Sequence, residues 1–201
     1  SYAGLEQKVE ERTHELQTRS RELAQSVGEL RALGEVTQAV NSTLDLATVL
    51  STIVAKAVEL SGTEAGSIYV VDPSTHQLQL RASHGMSEEL LAELNRQGVD
   101  LSEQTFADAA VKKQPVQVAD LKDAPLTPVL SILLRAGYRA LLIVPLLGPE
   151  GLIGMLVIRR RAPGEFSQHT VDLLQTFAAQ SVLAIQNANL FTEVEEKSRQ
   201  L

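Results

Sequence analysis

The chain has 201 residues, 44% apolar and 21% charged, and its 18 basic against 25 acidic side chains leave a formal net charge of −7. That is apolar material for one full domain with extra helix, and the acidic balance excludes the basic face of a general nucleic-acid binder. With no cysteine, disulfides, thiolate metal sites, thiol nucleophiles and thioether-linked chromophores are excluded together.

No apolar run approaches the ~20 residues that cross a bilayer, and no signal-peptide pattern opens the chain. The first 44 residues lack proline, and Val9, Leu16, Leu23, Leu30, Thr37 and Leu44 recur seven apart. Leu5, Arg12, Arg19, Ser26, Leu33 and Val40 form a second series between them. These are a and d positions, which predict a coiled-coil linker helix over residues 1–41 pairing in a homodimer. The seam is weak, because Arg12, Arg19 and Ser26 fill three consecutive d positions. A single solvated amphipathic helix is the alternative.

From Ser42 the periodicity changes. Ser42 and Thr43 are the expected N-caps of a helix carrying Leu46, Val49, Leu50, Ile53, Val54, Ala57 and Val58, which stops at Ser61-Gly62. Residues 67–71 read as a strand, Asp72-Pro73-Ser74-Thr75 as a turn and 78–82 as the hairpin partner. Short helices are expected from Ser87 to about Arg96 and over 103–113, then a strand at 115–119. Thr127-Pro128, a cap followed by a first-turn proline, opens a helix ending at Ala136-Gly137. Two apolar strands, 139–146 and 152–159, are joined by a turn at 147–151, and Ser167 caps a final helix. Strands that pair as hairpins predict an α+β fold. It has an antiparallel sheet, flanking helices and long coiled-coil helices at both termini.

At these residues the sequence resembles the GAF domains of signalling proteins. Ala65-Gly66-Ser67-Ile68-Tyr69-Val70-Val71-Asp72 looks like the family's first strand, and Ala82-Ser83-His84-Gly85 like the end of its second. Pro115-Val116-Gln117-Val118-Ala119-Asp120 is similar to the middle strand. Leu142-Ile143-Val144-Pro145-Leu146 and Gly151-Leu152-Ile153-Gly154-Met155-Leu156 are similar to the central hairpin. Phe166-Ser167 through Phe191 resembles the closing helix. The resemblance implies a GAF domain over 42–192 with a GAF/PAS-like antiparallel sheet, and an output linker helix starting at 193–201. The opening Leu5-Glu6-Gln7-Lys8-Val9-Glu10-Glu11-Arg12-Thr13 is similar to linkers after membrane-proximal HAMP modules of bacterial sensor histidine kinases.

Together these resemblances imply a cytoplasmic sensory module of a bacterial two-component sensor histidine kinase. A ligand or upstream signal would pass through dimeric helices to the output domain. A dimerisation spacer that binds no ligand stays open as the alternative, as does a cyclase, phosphodiesterase or transcription-activating output. Ser1 is no natural start and Leu201 falls inside a helical pattern, so a longer parent is expected, and whether that parent is membrane-anchored stays open. The sequence also departs from the family. Gln104, Ala107 and Lys113 stand where relatives often carry glycine, and the residue set of cyclic-nucleotide binders is not recognisable.

No catalytic constellation is evident. His14, His76, His84 and His169 lack metal-pair spacing, and neither a P-loop nor a G-x-S-x-G elbow occurs. Neither catalysis nor a metal site is expected of this segment. Arg159-Arg160-Arg161 reads as a polar strand end rather than an anion site. The family's pocket lies between the sheet and the helices flanking the middle strand. It would here draw on Phe106, Val118, Leu130, Leu133, Tyr138 and Ile68. Aromatic residues are only 3% of the chain, so Phe106 and Tyr138 stand out as stacking or hydrogen-bonding groups. The same side chains also suit a plain core, and they leave the identity of any ligand or cofactor unspecified.

Overall fold

The computed structural model describes residues 2–42 and 45–200, with side-chain burial for 45–189 and most of 4–29. The chain divides into two compact units, 1–41 and 42–201. The first is a single helix, α1 (Tyr2–Ser42). Leu5, Val9, Leu16, Leu23 and Val27 are all exposed along it, between 41% and 66%.

Helix α1 continues through Ser42, which is therefore not the cap expected for the next helix. Asp45 stands at that position in extended backbone, its carboxylate accepting from the Thr48 hydroxyl at 2.6 Å. Thr43, the other expected cap, lies outside the described residues. The second unit runs α2 (Leu46–Ser61), β1 (Ala65–Val71), β2 (Gln77–His84), α3 (Glu88–Gln97), β3 (Val99–Asp100) and α4 (Gln104–Lys112). It continues with β4 (Val116–Val118), α5 (Pro128–Arg135), β5 (Ala140–Gly148), β6 (Gly151–Arg160) and α6 (Gln168–Gln200).

Local chemistry sets most boundaries. The hydroxyls of Ser87, Thr127 and Ser167 accept the N–H groups of Leu90, Leu130 and Thr170, satisfying donors that a helix start leaves unpaired. Gly62 ends α2 in the left-handed region at φ 66, where a Cβ would be strained. The turn between β5 and β6 is tighter than expected. Pairing continues to Gly148 opposite Gly151, so Pro149 and Glu150 alone make the bend. The two-residue strand β3 is too short to carry a period and was not anticipated from the sequence.

The six strands form one antiparallel sheet in the order β3-β2-β1-β6-β5-β4. Helices α2 and α6 cover one face, and α3, α4 and α5 cover the other. Successive side chains of a strand point to opposite faces. Gly66 lies beneath α2, where a Cβ would come within 2.9 Å of Val58 and Ile158. Ala65 and Tyr69 instead join the buried cluster under α3, α4 and α5. Among the described residues no helix is long and apolar enough to cross a membrane.

Candidate functional site

The α3–α5 side of the sheet brings together four of the residues singled out in the sequence. Phe106 of α4, Leu130 and Leu133 of α5, and Tyr138 lie in one cluster, each no more than 2% exposed. The capped start of α5 places Leu130 and Leu133 three residues apart on one helix face. Gly137 (φ 98) then turns the chain so that the Tyr138 N–H donates to the Leu133 carbonyl at 3.1 Å. The Arg161 guanidinium stacks 4.7 Å from the centre of the Tyr138 ring, a cation–π contact. The Tyr138 hydroxyl has no hydrogen-bond partner among the described residues. Val118, half-buried, packs against this cluster from β4.

Ile68 does not belong to the site. It sits opposite Leu156 and shares its parity with Gly66, so it faces α2 and α6. The run Ser67-Ile68-Tyr69-Val70-Val71 is apolar on both faces, and alternation alone left its phase undetermined.

The second correction is larger. Arg159 is not a solvated strand end but the largest fully buried side chain described, 1% exposed. Its Cα lies between Ala65 of β1 and Leu141 of β5, both members of the α3–α5 core. From there the side chain reaches along β1. Nη1 donates to the Ser67 hydroxyl at 2.9 Å and Nη2 to the Tyr69 hydroxyl at 3.2 Å. Nε is buried with no acceptor. The other two arginines of the run diverge. Arg160 lies over the Phe166 ring and donates to the Gly164 carbonyl, whereas Arg161 is exposed and donates to the Ala136 carbonyl. The missed signal was parity. Met155, Val157 and Arg159 alternate with Leu156, Ile158 and Arg160 in a strand buried on both faces, so one arginine must enter the core.

A surface cleft of about 390 Å³ opens at the edge of this side, between α4, β4 and the 119–127 segment. Val118 forms part of its wall, beside Gln104, Asp108, Asp120, Asp123 and Thr127. Arg139 holds Asp120 with two bonds of 2.8 and 2.7 Å, and this charged donor pulls the carboxyl down to about 2. Burial pushes the Glu103 carboxyl up, against the hydroxyl bond it accepts from Thr127. Lys113, at one of the family's glycine positions, caps α4 at φ 54. That left-handed backbone is one that glycine adopts without strain. Among the described residues no group of three His, Asp or Glu side chains could hold a metal ion.

A model of the GAF domain family matches residues 43–186, well over half of the chain. No curated protein matches significantly. Among solved structures, the chain is similar to the GAF domain of an Acinetobacter phosphoenolpyruvate-protein phosphotransferase. The identity is 22% over 82% of this chain and 97% of that one, with a TM-score of 0.66. It is also similar to a domain assigned to a two-component sensor histidine kinase of Sinorhizobium meliloti, at 19% identity over 77% and 96% and a TM-score of 0.61. A phycoerythrobilin-bound GAF domain from a cyanobacterial phytochrome aligns at 18% identity over 82% and 97%, with a TM-score of 0.65. These likenesses speak to the fold, which is the mixed one described above: an antiparallel sheet with helices on both faces. The chain belongs to the GAF domain family.

Proposed function

We propose that this segment is a ligand-responsive regulatory module in the cytoplasmic part of a bacterial sensor histidine kinase, without catalysis of its own. GAF domains are regulatory sensory modules, and the Sinorhizobium meliloti likeness supports the kinase context. One observation carries the mechanism: α6 is a core element that runs on as one unbroken helix past its buried part. Leu174, Phe177, Ala178, Ser181 and Ile185 bury one side of it, and the same helix continues without interruption to Gln200. A ligand on the α3–α5 side reaches α6 through the sheet, provided that it binds two packings of the sheet with different affinity.

The module acts as a homodimer paired through its terminal helices. The exposed apolar stripe of α1 at Leu5, Val9, Leu16 and Leu23 supports this. Light scattering at tens of micromolar is expected to give twice the chain mass, and a monomer there removes the dimer. Arg12→Leu with Arg19→Leu is expected to raise the melting temperature of the paired helix by replacing facing cations with apolar residues. An unchanged curve means that residues 5–30 are not paired in this way.

A second reading has its own support. Phe106, Leu130, Leu133 and Tyr138 fill their region densely, which suits a dimerisation spacer that binds nothing. A screen of nucleotides, tetrapyrroles and small metabolites by native mass spectrometry separates the two. Saturable one-to-one binding that alters hydrogen exchange in α6 supports the sensor. No saturable ligand leaves the spacer.

A further inference from the structure

We propose that the ligand of this module is a small monoanion, a carboxylate on a compact apolar body, held by Arg159 inside the α3–α5 core. The inference rests on the sensory reading above and names the chemistry of its ligand. It starts from a charge without a counterpart. Arg159 is 1% exposed, and a guanidinium cannot escape burial by releasing its proton. Its two protein partners, the hydroxyls of Ser67 and Tyr69, are neutral, and Nε has none. Among the described residues, ion pairs lie elsewhere, as between Lys56 and Glu59, Arg135 and Glu93, and Arg139 and Asp120. None of the described carboxylates comes within 4 Å of Arg159.

A buried charge left in this condition is strongly unfavourable, and a well-packed apolar side chain in its place is often more stable. The position therefore makes physical sense as a receptor for a negative charge. Charge balance limits that charge to one, since among the described residues no second cation is buried alongside. The planar fork with an idle Nε matches the two oxygens of a carboxylate. The flanking residues Ala65, Leu141 and Val157 are apolar and buried, so the remainder of the ligand meets hydrocarbon.

The test is thermal unfolding of the whole chain with ~10 mM acetate, butyrate or benzoate, each against chloride at equal ionic strength and against its primary amide. The wild type is expected to rise by about 2 °C or more with at least one carboxylate, in a saturable way, and not with the matching amide. Arg159→Met is expected to lose that response, at least tenfold in affinity, while melting no lower than the wild type without ligand. If Arg159→Met does not fold, Arg159→Gln supplies a neutral polar group beside Ser67 and Tyr69 without the charge and is expected to lose the same response. Equal shifts by carboxylate and amide overturn the proposal, as does an unchanged response in the neutral variants or no shift with any carboxylate. A neutral molecule that saturates the wild type and Arg159→Gln alike sinks the anion while leaving the sensory reading standing. Absence of every saturable ligand, the screened nucleotides, tetrapyrroles and metabolites included, sinks both.

Discussion

The two faces of the one sheet are built on different chemistry. On the α2–α6 side two long helices, of 16 and 33 residues, lie over apolar residues such as Ile68, Leu142, Leu156 and Ile158, all fully buried. The buried Ser181 there satisfies itself by donating to the Phe177 carbonyl one turn back. On the other side the helices have only 10, 9 and 8 residues, and the layer buries a guanidinium with two hydroxyls. On α6 the buried Gln180 Oε1 also lacks a partner, but it is a neutral acceptor, whereas the unmet atom under α3–α5 belongs to a charged guanidinium. A surface with an unmet donor has a reason to change packing when a partner arrives. Under the proposed function, the contrast assigns mechanical continuity to one face and recognition to the other.

Paired substitutions sharpen or break that contrast. Phe106→Ala and Phe177→Ala remove fully buried rings from opposite faces, and each is expected to cost ~3–5 kcal/mol in urea denaturation. A loss at Phe106 below about 2 kcal/mol would mean that the short-helix layer collapses onto the gap, widening the difference between faces. Next in size is a comparison within the α3–α5 face. Tyr69→Phe deprives buried Arg159 of an acceptor and is expected to cost ~1–3 kcal/mol. Tyr138→Phe removes a hydroxyl with no protein partner and is expected to stay within ~0.5 kcal/mol, while weakening a bound ligand by about 1 kcal/mol if that hydroxyl touches it. Equal stability losses at the two tyrosines would erase the special status of Arg159.

Lys113→Gly relieves a left-handed residue at the end of α4, and a gain of up to about 1 kcal/mol is expected from chemical denaturation. The smallest effect is in acid. Asp120 has its carboxyl lowered to about 2 by Arg139, below the ordinary value of 3.8. Its contribution is fully present above pH 4–5, roughly, and fades as pH falls toward 2. Asp120→Asn is expected to flatten the stability profile across that window and to leave it unchanged near neutrality. An identical acid limb in the variant would show that the bidentate pair does not support the 119–127 segment.

What was legible in the sequence was local. Thr127-Pro128, Ser87 and Ser167 announced helix starts because a hydroxyl one turn ahead of an N–H is a short-range arrangement. The two hairpins were legible for the same reason. Ser42 failed as a cap because α1 persists through it, and only the chain beyond could show that. Of the residues proposed for the site, Phe106, Leu130, Leu133 and Tyr138 share one cluster, as their place around the middle strand suggested, whereas Ile68 lies on the opposite face of a doubly buried strand. Arg159 was missed because a charged residue beside two others reads as solvated. Its burial is completed by β1 and β5, its cross-strand neighbours, and the parity it shares with Met155 and Val157 along β6 was the local signal that went unread.

The strand order has a consequence for how the domain is made. The central pair of the sheet joins β1 to β6, and the Arg159–Ser67 hydrogen bond closes over 92 residues. A nascent chain therefore carries the β1–β2 hairpin with the inner edge of β1 unpaired until β6 has left the ribosome. Ile68, Tyr69 and Val70 lie along that edge, a run inviting strand addition by other chains. Such distant pairing slows folding because the connecting segment must be ordered before the contact forms. Dehydrating the guanidinium belongs to the same late event, so the costliest burial in the domain is deferred to the moment when its last strand docks.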